Sequence, residues 1–76
     1  MTSMQDDETE QIRAYMERIA ELRKSKDMTQ AEMARELGIS LDRYKKYEIR
    51  SPLPVYLIER FAKVVGQSVH YIVTGR

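Results

Sequence analysis

The sequence predicts an all-α fold of five helices, the first of them extended, and three observations carry that prediction. Apolar residues recur at the i, i+3, i+4 spacing of an amphipathic helix. Ser and Thr stand where such stretches begin, and glycines stand where they end. No run alternates apolar and polar residues as a half-buried strand does, and no segment repeats. A chain of 76 residues has room for one domain and one modest core. A domain of that size buries only about 60–65% of its unfolded surface, so pairing with another molecule adds needed stability.

Residues 1–7 are expected to form a flexible tail, and residues 8–76 a single domain. Asp7-Glu8-Thr9-Glu10 has capping-box spacing with an acidic first turn, which suits a helix N-terminus. Ile12, Tyr15, Met16, Ile19 and Leu22 then keep helical rhythm, and Lys24 and Lys26 bring positive charge to the C-terminal end, so the first helix is expected over 8–26. Thr29-Gln30-Ala31-Glu32 is a second capping box, which starts a helix at Gln30. That helix ends at Leu37, because Gly38 takes a left-handed C′ conformation at little cost. Ser40 is the next N-cap, and a third helix runs from Leu41 to Glu48. Three residues separate the two helices, which forces them to cross steeply. Pro52 and Pro54 interrupt the helical pattern. A fourth helix follows with Leu57, Ile58, Phe61, Ala62 and Val65 on one stripe and Gly66 as its stop. Ser68 caps a last short helix, Val69 to Val73.

At about 100° per residue, Leu41, Tyr44, Tyr47 and Glu48 share one side of the third helix. Asp42 and Lys46 lie opposite, with Arg43 and Lys45 on the flanks. The apolar side must face the other helices, which leaves a mostly basic face outward. Net charge is +1, but it is uneven. Residues 1–27 hold five cations against seven carboxylates, whereas residues 28–76 hold eight against five. This permits an anionic partner without demanding one.

The stretch TQAEMARELGIS, the Glu48 that follows it, the apolar stripe of the fourth helix and Gly66-x-Ser68 resemble the helix-turn-helix domain of the Cro/CI-repressor (Xre) family. The resemblance runs from Ile19 to Gly75 without an insertion and implies a five-helix, lambda-repressor-like domain. It implies a sequence-specific regulator of transcription, a repressor acting on double-stranded DNA. Such a protein binds an inverted-repeat operator as a homodimer, with helix 41–48 in the major groove. By this resemblance Ser40, Leu41, Asp42, Arg43 and Lys46 approach base edges. Gln30, Lys45, Arg50, Ser51 and Tyr56 meet phosphates, and Arg23 with Glu48 is a structural charge pair. The dimer surface is expected on the fourth and fifth helices, through Val69 and Ile72, or on the extended first helix. YKKYE followed by RSPLP is similar to a subgroup of small phage and prophage regulators, which implies a bacterial or phage-encoded, cytoplasmic, nucleoid-associated protein.

Departures from the family pattern leave particular roles open. Tyr44 holds an aliphatic core position and Tyr47 is a second aromatic beside it. Ile49-Arg50 stands where relatives often have Asn-Gly. Asp42 is able to accept from cytosine N4 or to pair with Lys46 one turn on, an event worth ~0.3 kcal/mol. Leu41 either touches a thymine methyl or completes the core. Lys45 either meets DNA or is merely solvated, and Tyr56 either bonds a phosphate or is simply exposed. Tyr44, Tyr47 and Tyr71 are expected in the core rather than as stacking platforms.

The remaining classes are weakly supported. No cysteine is present, so disulfides and thiolate metal sites are excluded. His70 lacks the companions a metal needs, and no cofactor or metal is expected. No phosphate loop or nucleophile–base pair is visible, so no enzyme is expected. No apolar run approaches the length of a membrane span. The alternative function is a protein-interaction module, such as an antitoxin-like partner, with secondary DNA binding; the acidic N-terminal extension and near-neutral charge motivate it.

Overall fold

The computed structural model describes residues 4–76, and their side chains from residue 8 onward. Five helices follow one another: α1 (Met4–Ser25), α2 (Gln30–Leu37), α3 (Leu41–Ile49), α4 (Val55–Val65) and α5 (Val69–Thr74). No strand occurs among the described residues.

Four helix boundaries follow from short-range chemistry. At α2 the capping box is complete, with Glu32 N–H donating to Thr29 Oγ1 (3.0 Å) and Thr29 N–H to Glu32 Oε1 (2.8 Å). Gly38 ends it in the left-handed region (φ 72°), and Ile39 N–H then closes back onto Ala34 O at 3.0 Å. Ser40 caps α3 by accepting from Arg43 N–H (3.1 Å), and Ser68 caps α5 by accepting from Tyr71 N–H (3.0 Å). α4 is preceded by Pro54 at its N-cap, which has no side-chain acceptor and makes no cap bond. The α1–α2 turn passes through Asp27 at φ 55°, a conformation that Asp tolerates better than most residues.

The start of α1 differs from the expectation. The helix begins at Met4, so Asp7 lies inside it and the Asp7–Glu10 spacing does not mark its end. Nothing between Met4 and Glu8 breaks a helix, so the hydrogen-bond ladder extends back past the anticipated boundary. The rest of the expected tail, residues 1–3, lies outside the described residues. At its other end α1 stops at Ser25, whose hydroxyl donates to Leu22 O at 2.7 Å.

Twelve apolar side chains form the core: Ile19 from α1, Met33, Ala34 and Leu37 from α2, Tyr44 from α3, Leu53 from the proline loop, Leu57, Ile58, Phe61, Ala62 and Val65 from α4, and Ile72 from α5. α3 packs against α1 and α2, α4 against α2 and α5, and α5 against α1. Three α1 side chains tie this helix to its neighbours. Tyr15 donates to Leu53 O (2.8 Å), Arg18 donates to Ile72 O (2.8 Å) and Val73 O (3.1 Å), and Arg23 reaches Glu48. The first part of α1 overshoots this core, which is why Ile12 stays 45% exposed although it keeps the helical stripe.

Candidate nucleic-acid interface

α3 is fixed from its inner side. Tyr44 is fully buried, and its hydroxyl donates to Glu48 Oε2. Arg23 grips the same carboxylate with Nε to Oε2 (2.7 Å) and Nη2 to Oε1 (3.2 Å), while its Nη1 donates to Met28 O (2.7 Å). Gln30 Nε2 adds a bond to Oε1 at 3.0 Å. A single carboxylate thus joins α1, α2 and α3, and the Arg23 and Glu48 side chains are only 10% and 5% exposed. Among the described residues this is the one ion pair, and no buried side-chain polar atom lacks a partner.

The titration of this cluster follows from its geometry. Burial alone pushes the Glu48 carboxyl up, but bonds from Arg23, Tyr44 and Gln30 outweigh it and hold the group below its ordinary 4.5. Burial, aided by the bond to Glu48, pushes the Tyr44 phenol well up. Burial also takes Tyr15 up to about 12. The signs give a stability profile with two limbs. Glu48 has a depressed folded pKa, so its contribution is complete above 4.5 and drains as pH falls through the folded value. Tyr15 has a raised folded pKa, so its contribution is complete below 10.0 and drains as pH climbs toward about 12. Denaturant midpoints across pH are expected to show both limbs, and Glu48→Gln is expected to flatten the acid one. An acid limb that survives Glu48→Gln unchanged would assign it to other carboxylates.

The outer side of α3 is open. Ser40, Asp42, Arg43, Lys45 and Lys46 are all exposed, and Leu41 is 37% exposed, at the edge of the core. No ion pair joins Asp42 to Lys46 among the described residues, so both end groups are open to a partner. Arg43 is engaged differently. Its Nε donates to Tyr47 Oη (3.0 Å) and its Nη2 to Tyr56 Oη, and the guanidinium carbon sits 6.0 Å from the centre of the Tyr56 ring. The bond to Tyr47 leads the effects that raise the Arg43 pKa still further. Arg50 and Ser51 lie exposed just past α3, and Tyr56 is 66% exposed in the first turn of α4. Because Pro54 supplies no cap, the positive end of the α4 dipole is open beside them.

The structure therefore leaves Ser40, Leu41, Asp42, Arg43, Lys45 and Lys46 exposed on α3, with Arg50 and Ser51 exposed just beyond it, and joins Arg43 to Tyr56 of α4. Gln30 stands apart from this group in one respect, since its amide is turned onto Glu48. Sequence reasoning missed the Tyr44 and Gln30 bonds to Glu48 and the two-phenol hold on Arg43. The i, i+4 spacing of Arg43 and Tyr47 was the available signal for the last. Elsewhere the surface offers little chemistry. No group of metal-ligating side chains occurs among the described residues, and no helix is long and apolar enough to cross a membrane.

Comparison with known proteins gives one family and one relative. The Helix-turn-helix family profile matches residues 19–72, which takes in everything from the buried Ile19 to Ile72 and leaves the first part of α1 outside. The chain is similar to the cryptic phage CTXphi transcriptional repressor RstR of Vibrio cholerae serotype O1, with 50% identity over 48 residues. That stretch covers 63% of this chain and 41% of the relative, so the likeness spans well under half of the relative's length. No solved structure matches significantly.

Proposed function

Since the chain belongs to the Cro/CI-type helix-turn-helix family, we propose that it is a sequence-specific regulator that represses transcription by occupying duplex DNA with α3 in the major groove. The observation that carries this reading is the two-sidedness of α3. Its inner side is locked by Tyr44 and Glu48, and its outer side presents Asp42 and Lys46 without partners. A helix held this rigidly loses little freedom on docking, and a major groove admits one helix with its base-edge donors and acceptors within reach. In this reading Ser40, Leu41, Asp42 and Lys46 approach base edges, while Lys45, Arg50, Ser51 and Tyr56 line the strand. The similar phage repressor supports the sign of regulation.

One α3 offers too few contacts for tight binding, so the regulator acts as a homodimer on an inverted repeat with half-sites about 10 bp apart. The surface that supports pairing is a shallow groove between α1 and α5, where Ile12 (45% exposed), Tyr15 and Val73 (48% exposed) are bordered by Glu8 and Gln11. The same groove keeps a second reading alive, in which the domain docks a protein partner and DNA is secondary. Salt separates the two, because a regulator that contacts phosphates loses affinity steeply as salt rises.

Selection of bound duplexes from a random pool tests the leading reading. The expected result is an enriched inverted repeat. On that site Lys46→Ala is expected to cost about 1–3 kcal/mol and to relax preference at one position of each half-site. A pool that shows no enrichment would overturn it.

A further inference from the structure

Arg43 occupies a position that faces the groove in the reading above, yet it is not part of the open ridge that Asp42 and Lys46 form. Its side chain runs along α3 to Tyr47 and across to Tyr56 on the first turn of α4. The guanidinium thus bridges two helices and lies on the flank between them. We infer that Tyr47 and Tyr56 are positioning residues that convert Arg43 into a rigid contact for a DNA phosphodiester, leaving sequence choice to Ser40, Leu41, Asp42 and Lys46. This rests on the regulator reading of α3.

The free donors of Arg43 suit a phosphodiester. Arginine carries five N–H groups, of which one goes to Tyr47 and one to Tyr56, so three remain. Each phenol accepts from Arg43, and neither donates its own proton to any described residue. Three N–H groups on one exposed positive charge therefore have no acceptor among the described residues. A phosphodiester answers that pattern, since its charged oxygens carry lone pairs in several directions and offer no proton. A guanine edge presents only two acceptors in one plane, so it leaves one of the three remaining N–H groups without an acceptor. Holding the arginine in advance also removes the side-chain ordering that a mobile arginine undergoes on binding.

The test uses the whole chain on its selected duplex and on a scrambled duplex of equal length, each across a salt series. Arg43→Ala is expected to weaken both complexes by the same factor, roughly 10-fold, to lower the salt slope by about 1 and to leave base preference intact. Tyr47→Phe with Tyr56→Phe keeps the charge and both rings. It is expected to weaken both complexes about 2- to 10-fold with the salt slope unchanged. Tyr56→Phe alone, at an exposed position, gives the same direction with the fold undisturbed. If Arg43→Ala relaxes preference at a single base pair and spares the scrambled duplex, or if the double Phe variant binds like wild type, the phosphate role is overturned while the regulator reading stands. A wild-type chain that binds neither duplex overturns both.

Discussion

Glu48→Ala is expected to cost about 3–5 kcal/mol of folding stability, because it strands the Arg23 guanidinium in a nearly closed site. The magnitude is decided by burial. An exposed pair is worth about 0–1 kcal/mol, but these side chains are 10% and 5% accessible and the carboxylate also holds Tyr44 and Gln30. For 76 residues at roughly 0.05–0.15 kcal/mol each, the whole stability is on the order of 4–11 kcal/mol. The substitution therefore brings the domain near its folding limit, and urea denaturation followed by circular dichroism measures it directly. Arg23→Ala is expected to be equally severe. Tyr44→Phe removes one donor and leaves the pair, so about 1 kcal/mol is expected. Should Glu48→Ala prove as mild as Tyr44→Phe, water reaches the carboxylate and the inner lock on α3 is weaker than its geometry implies.

Phe61→Ala is expected to be of similar size, about 3–5 kcal/mol, for a different reason. Phe61 is fully buried in α4 and shares the core with side chains from all five helices. Emptying its site removes apolar contact area and leaves a cavity that rigid helices on several sides cannot close. A thermal melt is expected to drop by more than about 12 °C, since a domain this small shifts about 4–8 °C for each kcal/mol. A drop of only a few degrees would mean that the core collapses around the gap. The two substitutions also differ in what they do to DNA binding in whatever fraction remains folded. Glu48→Ala loosens α3 itself, whereas Phe61→Ala leaves the lock at Arg23 in place.

Much of the fold is written locally. Thr29, Gly38, Ser40, Gly66 and Ser68 act on backbone groups three or four residues away, so their positions set helix ends without reference to the rest of the chain. The apolar stripe of α4 is legible for the same reason: its buried face recurs at helical spacing whichever helices cover it. The start of α1 was not legible, since a good helical sequence has no unique beginning and capping spacing at Asp7 competes with continued laddering. The site was legible as a face and not as a network. Spacing places Asp42, Arg43, Lys45 and Lys46 outward on α3, but the turn of Gln30 onto Glu48 spans 18 residues and the reach of Arg43 to Tyr56 spans 13. Those bonds depend on how three helices cross, which no single stretch of sequence encodes.

The inner lock and the outer face are two sides of one short helix, and in the proposed reading α3 enters the groove as a fixed body. Methylation interference on the selected duplex tests this most directly, because guanine N7 methylation blocks the major groove and adenine N3 methylation blocks the minor groove. The predicted result is two patches of N7 interference about one helical turn apart, with the patch beneath Lys46 lost in Lys46→Ala. Interference confined to adenine N3, or none at N7 on a duplex that is nonetheless bound, would contradict the placement of α3 in the major groove.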